Sequence, residues 1–262
     1  MLNPIIDTLM LILRKARALR MRLIMIALAL CCSALPIAHA NMVIETTRAI
    51  YPESRRDVSF RVINADKERP AFVQMWLDDG NASAAPEDVV TPFNLSPAVA
   101  RLKPTGAQVV RLVYTGEALP RDRESVFWFN MLEIPQRSKE DNRLTFSVRT
   151  RIKVFFRPTA LKADPTTLMD SLTWTMRKKD GRWSIEAMNP TPFHMSFFSL
   201  ELGHDGGFDS PVEGGMALPL GLTEFNLPEE RTLTSTFNRI RVNFINDFGG
   251  VVTKEFSLPS DN

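Results

Sequence analysis

Alternation with a period of two residues, interrupted at short intervals by proline, glycine and asparagine, is the feature that most restricts this chain. Val58-Ser59-Phe60-Arg61-Val62 alternates, and so does Phe72-Val73-Gln74-Met75-Trp76-Leu77. Val109-Val110-Arg111-Leu112-Val113 and Phe127-Trp128-Phe129-Asn130-Met131 are further short β-rich runs. Turn clusters stand between them at Asn64-Ala65-Asp66, Asp78-Asp79-Gly80-Asn81 and Lys103-Pro104-Thr105-Gly106. Successive side chains of a strand point to opposite faces, so each run has one apolar face to bury. Short strands with turn signals every 8–12 residues predict a sandwich. The 18 prolines in 262 residues also work against long helices.

The run from 144 to 156 is the longest. Leu144, Phe146, Val148, Ile152, Val154 and Phe156 share one parity; Thr145, Ser147, Arg149, Arg151 and Lys153 take the other, with Phe155 the exception. Thirteen residues is more than twice the usual strand length of about 5–6, and Arg157-Pro158 ends the run. Alternation alone leaves open whether Leu144, Phe146 and Val148 pack into their own sandwich or project from it.

A Pro-bounded stretch, 159–165, reads as a short linker. Beyond it, Leu172-Thr173-Trp174-Thr175-Met176 and Trp183-Ser184-Ile185-Glu186-Ala187 flank a hairpin turn at 178–182. Asn189-Pro190-Thr191-Pro192 marks another turn, before strand-like runs at 195–202 and 240–245, and Gly206-Gly207 and Gly214-Gly215 flank a loop. The expectation is all-β, with two domains at 41–158 and 166–262.

Residues 21–40 read as an export signal: a basic start, an apolar run from Leu23 to Leu35, and Ala38-His39-Ala40 as a small-x-small cleavage pattern. Residues 1–40 are therefore expected to be removed after Ala40, with Met21 as an alternative start. The apolar run falls short of the roughly 20 residues of a membrane span, so stable membrane insertion is not expected. Cys31 and Cys32, the chain's two cysteines, both lie in this segment. The mature protein would enter an oxidising compartment without a thiol, which excludes thiolate metal sites and a catalytic cysteine. The segment also removes five bases and one acid from totals of 32 and 30, leaving 27 against 29. A near-neutral protein has no electrostatic footprint for nucleic acid.

Enzymatic chemistry has little to stand on. His194 and His204 are the only imidazoles after residue 40, and no Gly-x-Ser-x-Gly, phosphate-loop, dinucleotide or His-Glu-x-x-His pattern occurs. His204, Asp205, Asp209 and Glu213 form a weak metal-ligand set, better read as a solvated turn. His194 reads as a strand residue. No catalytic residue, metal or cofactor is expected.

Several segments together resemble the PapD-like periplasmic pilus (fimbrial) chaperones. They are Thr47-Arg48-Ala49-Ile50-Tyr51-Pro52; 119–130, containing Asp122-Arg123-Glu124-Ser125 and Phe127-Trp128-Phe129-Asn130; Glu133-Ile134-Pro135; 151–158; Asn189-Pro190-Thr191-Pro192-Phe193; and Ile245-Asn246-Asp247-Phe248-Gly249-Gly250. They occur in family order across nearly the whole mature chain. The resemblance implies two immunoglobulin-like β-sandwich domains in an angled, L-shaped arrangement, with pilin subunits bound in the cleft between them and delivered to an outer-membrane usher. It implies that Leu144, Phe146 and Val148 are donated to the client as a strand. Arg48 and Lys153 match the family's anchor for the client's terminal carboxylate, both facing a solvated cleft, and Glu124, Arg157 and Asp247 match an interdomain ion network. The network's value for stability is open, because partly buried pairs can cost as much as they return. The short 136–143 connection and the missing cysteines are similar to short-loop members serving rod-like pili. Phe146 stands where the family often carries Leu or Ile, a departure bearing on which client is taken. A secreted two-domain binding module or adhesin is the alternative, disfavoured because no disulfide or donor extension is present; a periplasmic hydrolase is weaker still.

Overall fold

The structure is a computed structural model describing residues 42–134, 146–179, 182–227 and 237–259, together with Arg17, Arg20, Met21 and Met25. Residues 41–262 form one compact unit, separate from 1–40. Among the described residues no helix is long and apolar enough to cross a membrane.

The first sandwich packs two sheets. One contains β1 (Met42–Ile44), β3 (Val58–Asn64), β7 (Ala107–Tyr114) and β5 (Phe93–Ser96), in that spatial order. The other runs β2 (Arg48–Pro52), β9 (Arg149–Arg157), β8 (Ser125–Ile134), β4 (Ala71–Asp78) and β6 (Val99–Leu102). The alternating residues behave as their spacing demands: Phe60 and Val62, Val73 and Met75, Val110 and Leu112, Phe127 and Phe129 are all buried between the sheets. Each such side chain contributes about 1.5–3 kcal/mol on burial. Tyr51 closes one end of this core. Its ring lies 5.3 Å from that of Phe93, and its hydroxyl accepts from the Tyr114 amide and donates to the Arg56 carbonyl, both at 3.0 Å.

In β9 the alternation separates two environments. Ile152, Val154 and Phe156 enter the core, whereas Arg149, Arg151 and Lys153 stand half-buried on the opposite face. Phe155, the exception to the pattern, is buried beside His194 of the second domain, ring to ring at 5.6 Å. The strand is shorter than the thirteen residues expected: its pairing with β8 ends at Arg149, and among the described residues the last tie beyond it is the bond from the Glu133 amide to the Val148 carbonyl, 2.9 Å. Phe146, Ser147 and Val148 lie outside the strand, and Leu144 lies outside the described residues. β2 pairs parallel with β9 only over Lys153 to Arg157. Among the described residues, nothing therefore pairs with that edge of β9 from Arg149 to Ile152.

After Pro158 the chain enters a 3-10 turn, Pro165–Ser171, whose first amides are capped by Asp164. The second sandwich sets β10 (Thr173–Lys179), β11 (Arg182–Asn189) and β15 (Gly221–Asn226) against β13 (Gly207–Phe208), β12 (Met195–His204), β16 (Arg239–Ile245) and β17 (Val251–Ser257), with β14 (Val212–Ala217) also on β12. Gly214 and Gly215, expected to flank a loop, lie inside β14 instead. That strand runs beside the register shift between Phe197 and Ser199, where a Cβ on Gly214 would collide with the Phe197 backbone. His194 precedes β12 rather than joining it.

Asn189 organises the Asn-Pro-Thr-Pro turn from inside. Fully buried, it donates to the carbonyls of Phe193 (2.7 Å) and Leu218 (3.1 Å) and accepts from the Thr191 amide (3.0 Å) and hydroxyl (2.7 Å). Removing such a side chain strands buried donors and acceptors at about 1–3 kcal/mol. Asn189→Ala should therefore lower the stability of the second domain by at least about that amount in a urea titration. A variant with an unchanged midpoint would show that the turn holds without it.

Candidate functional site

The parallel pairing of β2 with β9 sets Arg48 directly beside Lys153. Two cations side by side repel unless an anion lies between them, and among the described residues neither has an ion-pair partner. Lys153 Nζ reaches the Ser196 hydroxyl of the second domain, 3.3 Å away, and stands 5.4 Å over the Trp128 ring. Burial, then repulsion by Arg48, lowers its pKa to about 8. Arg48 corrects the expectation of a solvated side chain, for it is only 8% exposed. It donates to the Ile245 carbonyl at 3.0 Å and lies 5.8 Å over Phe155, while its Nε is buried without a partner. Burial lowers its pKa, although Asp247 and Glu124 act the other way.

Arg157, four residues on from Lys153, is bracketed by carboxylates from both domains. It bonds Glu124 Oε1 through Nε at 2.8 Å, and Asp247 at 2.7 and 3.1 Å through its two terminal nitrogens, with Phe193 5.1 Å beneath. Burial opposes its charge, but the bonds to Asp247 and the charge of Glu124 outweigh it and raise its pKa. Glu124 in turn accepts from the His194 amide at 2.9 Å, so the first domain grips the second through a buried carboxylate. Asp247 is presented by a turn wound around the Asn246 side chain, whose Oδ1 accepts from the amides of Phe248 (3.0 Å) and Gly250 (2.9 Å). Gly249 adopts a φ of 81° there, a conformation that other residues reach only with strain.

Of the predicted donor residues, Phe146 is 74% and Val148 56% exposed. They adjoin the open edge of β9, and both carry large exposed apolar surface. His204, Asp205, Asp209 and Glu213 do not converge: His204 pairs with Asp209 at 3.4 Å, and Asp205 accepts from Asn238. Among the described residues no three metal-ligating groups come together.

A second polar cluster escaped sequence reasoning. Asp78, read as a turn residue, closes β4 and is fully buried, accepting from Asn130 Nδ2 (2.8 Å), the Gly80 amide (2.7 Å), Arg149 (3.3 Å) and both ends of the Arg151 fork. Burial raises its pKa, but the bonds from Arg151, Asn130 and Gly80 prevail and hold it below the ordinary aspartate value. The parity of Arg149 and Arg151 was the available signal; nothing in the sequence pointed to their common acceptor.

These observations define a two-domain sandwich protein with a cationic interdomain cleft and an unpaired strand edge leading from it. Residues 41–162 match the family "Pili and flagellar-assembly chaperone, PapD N-terminal domain", and residues 167–256 match "Pili assembly chaperone PapD, C-terminal domain". The chain belongs to the PapD pilus-chaperone family. It is 36% identical over 221 residues to the probable fimbrial chaperone YadV of Escherichia coli K12, covering 81% of this chain and 88% of that one. It is 35% identical over 237 residues to the chaperone protein FimB/FhaD of Bordetella pertussis, covering 88% and 93%. The crystal structure of the Pseudomonas aeruginosa CupB2 chaperone matches with a TM-score of 0.68 at 37% identity, over 83% of this chain and all of that one. A Salmonella enterica SafA pilin–SafB chaperone complex includes a chain with a TM-score of 0.70 at 25% identity, over 85% and 99%. These relatives bear chaperone names, which disfavours the adhesin alternative.

The Arg157 bridge carries a measurable consequence. Removing one member of a buried pair leaves an uncompensated charge at a cost of about 3–5 kcal/mol. Glu124 has only 2% of its side chain exposed. Arg157→Ala should therefore destabilise the protein on that scale in denaturant unfolding, with a midpoint near wild type showing that Glu124 finds another partner.

Proposed function

We propose that this chain is a periplasmic chaperone that captures pilus subunits by lending them the segment 144–148, and hands them to an outer-membrane usher. The observation carrying this reading is the alignment of two cations without a counter-ion, Arg48 and Lys153, with the open edge of β9 and the exposed Phe146 and Val148 beyond it. A subunit lacking one of its own strands exposes unpaired backbone groups and an apolar groove, an aggregation hazard. Adding a strand satisfies that backbone, and alternate side chains fill the pockets.

The anchor dictates direction. A client strand whose terminal carboxylate sits at Arg48 and Lys153, and which lies along Arg149 to Ile152 toward Val148, runs parallel to β9. β2 does the same farther along. From Lys153 to Val148 is five residues, about 16–17 Å of strand. One fixed end then decides which client residue meets which side chain, and a slip by one residue would turn every side chain to the wrong face. Charge-assisted bonds of about 1.5–3 kcal/mol each supply part of the affinity.

Several further assignments belong to this reading. The segment 1–40 directs export and is removed, the mature chain starting at Asn41; domains span 41–158 and 166–262, joined by 159–165. Glu124, Arg157 and Asp247 hold the two domains in one orientation, keeping Ser196 opposite Lys153. The role needs no catalytic group, cofactor or metal. Tagged protein purified from the periplasm of its own host should bring down a pilin subunit identifiable by mass spectrometry, and its N-terminal residue should be Asn41. Recovery of the chain alone, or with unrelated proteins, would overturn the proposal.

The lowered pKa of Lys153 gives capture a pH signature. A client carboxylate binds the protonated amine and raises its pKa, so affinity is full below the free-state value of about 8 and declines as pH rises above it. Between the free and bound values the fall approaches tenfold per pH unit. Lys153→Ala should bind at least about tenfold more weakly at pH 7, from the loss of one charge-assisted bond, and its residual binding should be flat between pH 7 and 9. A wild-type affinity without decline over that range would remove the lysine from the anchor.

A further inference from the structure

We infer that Asp78, Arg149 and Arg151 act as a register clamp, a set of positioning residues that fixes where the donated segment leaves the sheet and which face its apolar side chains present. The inference rests on the strand-donation reading above and adds residues to it.

The donated segment has a weak root. Beyond Arg149 toward the N-terminus, the only described backbone bond to β8 is the one accepted by Val148. Backbone pairing alone would tolerate slippage there, because a single bond does little to fix register. Side chains remove that freedom. The Arg149 guanidinium donates twice to Asn130 Oδ1, at 2.9 and 2.7 Å, once to the Ala82 carbonyl at 2.6 Å and once to Asp78 at 3.3 Å, and it lies 4.8 Å over the Trp76 ring. The first residue of β9 is thus tied to three other segments.

Asp78 makes the tie conditional on register. Its carboxylate is fully buried, so it must be matched by cations. It stands in a row with Trp128 and Lys153, and Arg149 and Arg151 reach it from two successive outward positions of β9. A shift of β9 by one residue would place Thr150 and Ile152 on that face, leaving the buried carboxylate with no cation. In the observed register the even-numbered residues of β9 point the other way, toward the core, and Val148, tied to Glu133, continues that parity beyond the strand with its side chain exposed. A clamp on the outer face thereby orients residues it never touches.

Arg149→Gln removes most of the clamp while leaving Asp78 its Arg151 partner, so the variant should fold. Arg241→Gln is the matched control, because Arg241 holds Glu201 at 3.0 Å and Glu255 at 3.0 Å in the second domain, away from the cleft. Both variants should melt within ~4 °C of wild type. Recovery of the pilin subunit that co-purifies with the wild-type chain should fall about tenfold for Arg149→Gln and stay unchanged for Arg241→Gln. Amide exchange in the free protein should accelerate at residues 148–152 of Arg149→Gln and nowhere else in the first domain. Equal capture by the two variants, or unchanged exchange at 148–152, overturns the clamp. Lys153→Ala run in parallel separates this from failure of the underlying reading: if it too captures the subunit as wild type does, strand donation with a carboxylate anchor is itself wrong.

Discussion

β9 is held from both sides but not along its whole length, and the rest of the molecule depends on that asymmetry. β8 pairs with it from Arg149 to Phe156, while β2 reaches only from Lys153 to Arg157. One half of the strand is therefore an ordinary central strand and the other half an edge. Natural proteins generally blunt such edges with charge or cover. Here the edge leads on one side to two exposed apolar residues and on the other to two uncompensated cations. A surface of that kind suits an extended peptide with a free carboxyl end better than it suits solvent.

The cost of keeping two cations adjacent is met by structure elsewhere. Arg157, in the same strand, takes up Glu124 and Asp247, the acidic groups whose charges also act on Arg48. Asp78 is taken up in the same manner by Arg149 and Arg151. Asp78, Glu124 and Asp247 are thus committed to arginines, and among the described residues Arg48 and Lys153 have no ion-pair partner. Aromatic rings support the arrangement: Trp128 lies beneath Arg151 and Lys153, at 4.2 and 5.4 Å. Such contacts favour the charged forms in partly desolvated surroundings.

Much of this was legible in the sequence because strand alternation is a local property. The inward positions of β3, β4, β7 and β8 follow from counting by two, and the split of β9 into apolar and basic parities could be read directly. Pairings between segments distant along the chain were not legible. Nothing in Asp78-Asp79-Gly80 distinguishes a solvated turn from a buried carboxylate awaiting two arginines 71 and 73 residues later. The solvated reading of Arg48 failed for a similar reason, since its burial comes from Ile245 and Phe155, contributed by β16 and β9. The glycines of β14 looked like loop residues because the backbone they accommodate, at Phe197, belongs to another strand. The regular strand ends where its ladder with β8 ends, at Arg149, and the alternation of 144–156 does not encode that pairing.

The central claim is that the apolar side chains before β9 exist for a partner and not for the chain's own core. Phe146→Glu tests it on a single protein through two measurements, thermal melting of the free chain and recovery of the pilin subunit. Exposure of Phe146 predicts a stability change of only about 0.5 kcal/mol, while a charge driven into an apolar client pocket should cost binding several kcal/mol. The account predicts a variant that melts like wild type and holds no subunit. An unfolded or severely destabilised first domain, or a folded variant that still retains its subunit, would contradict it.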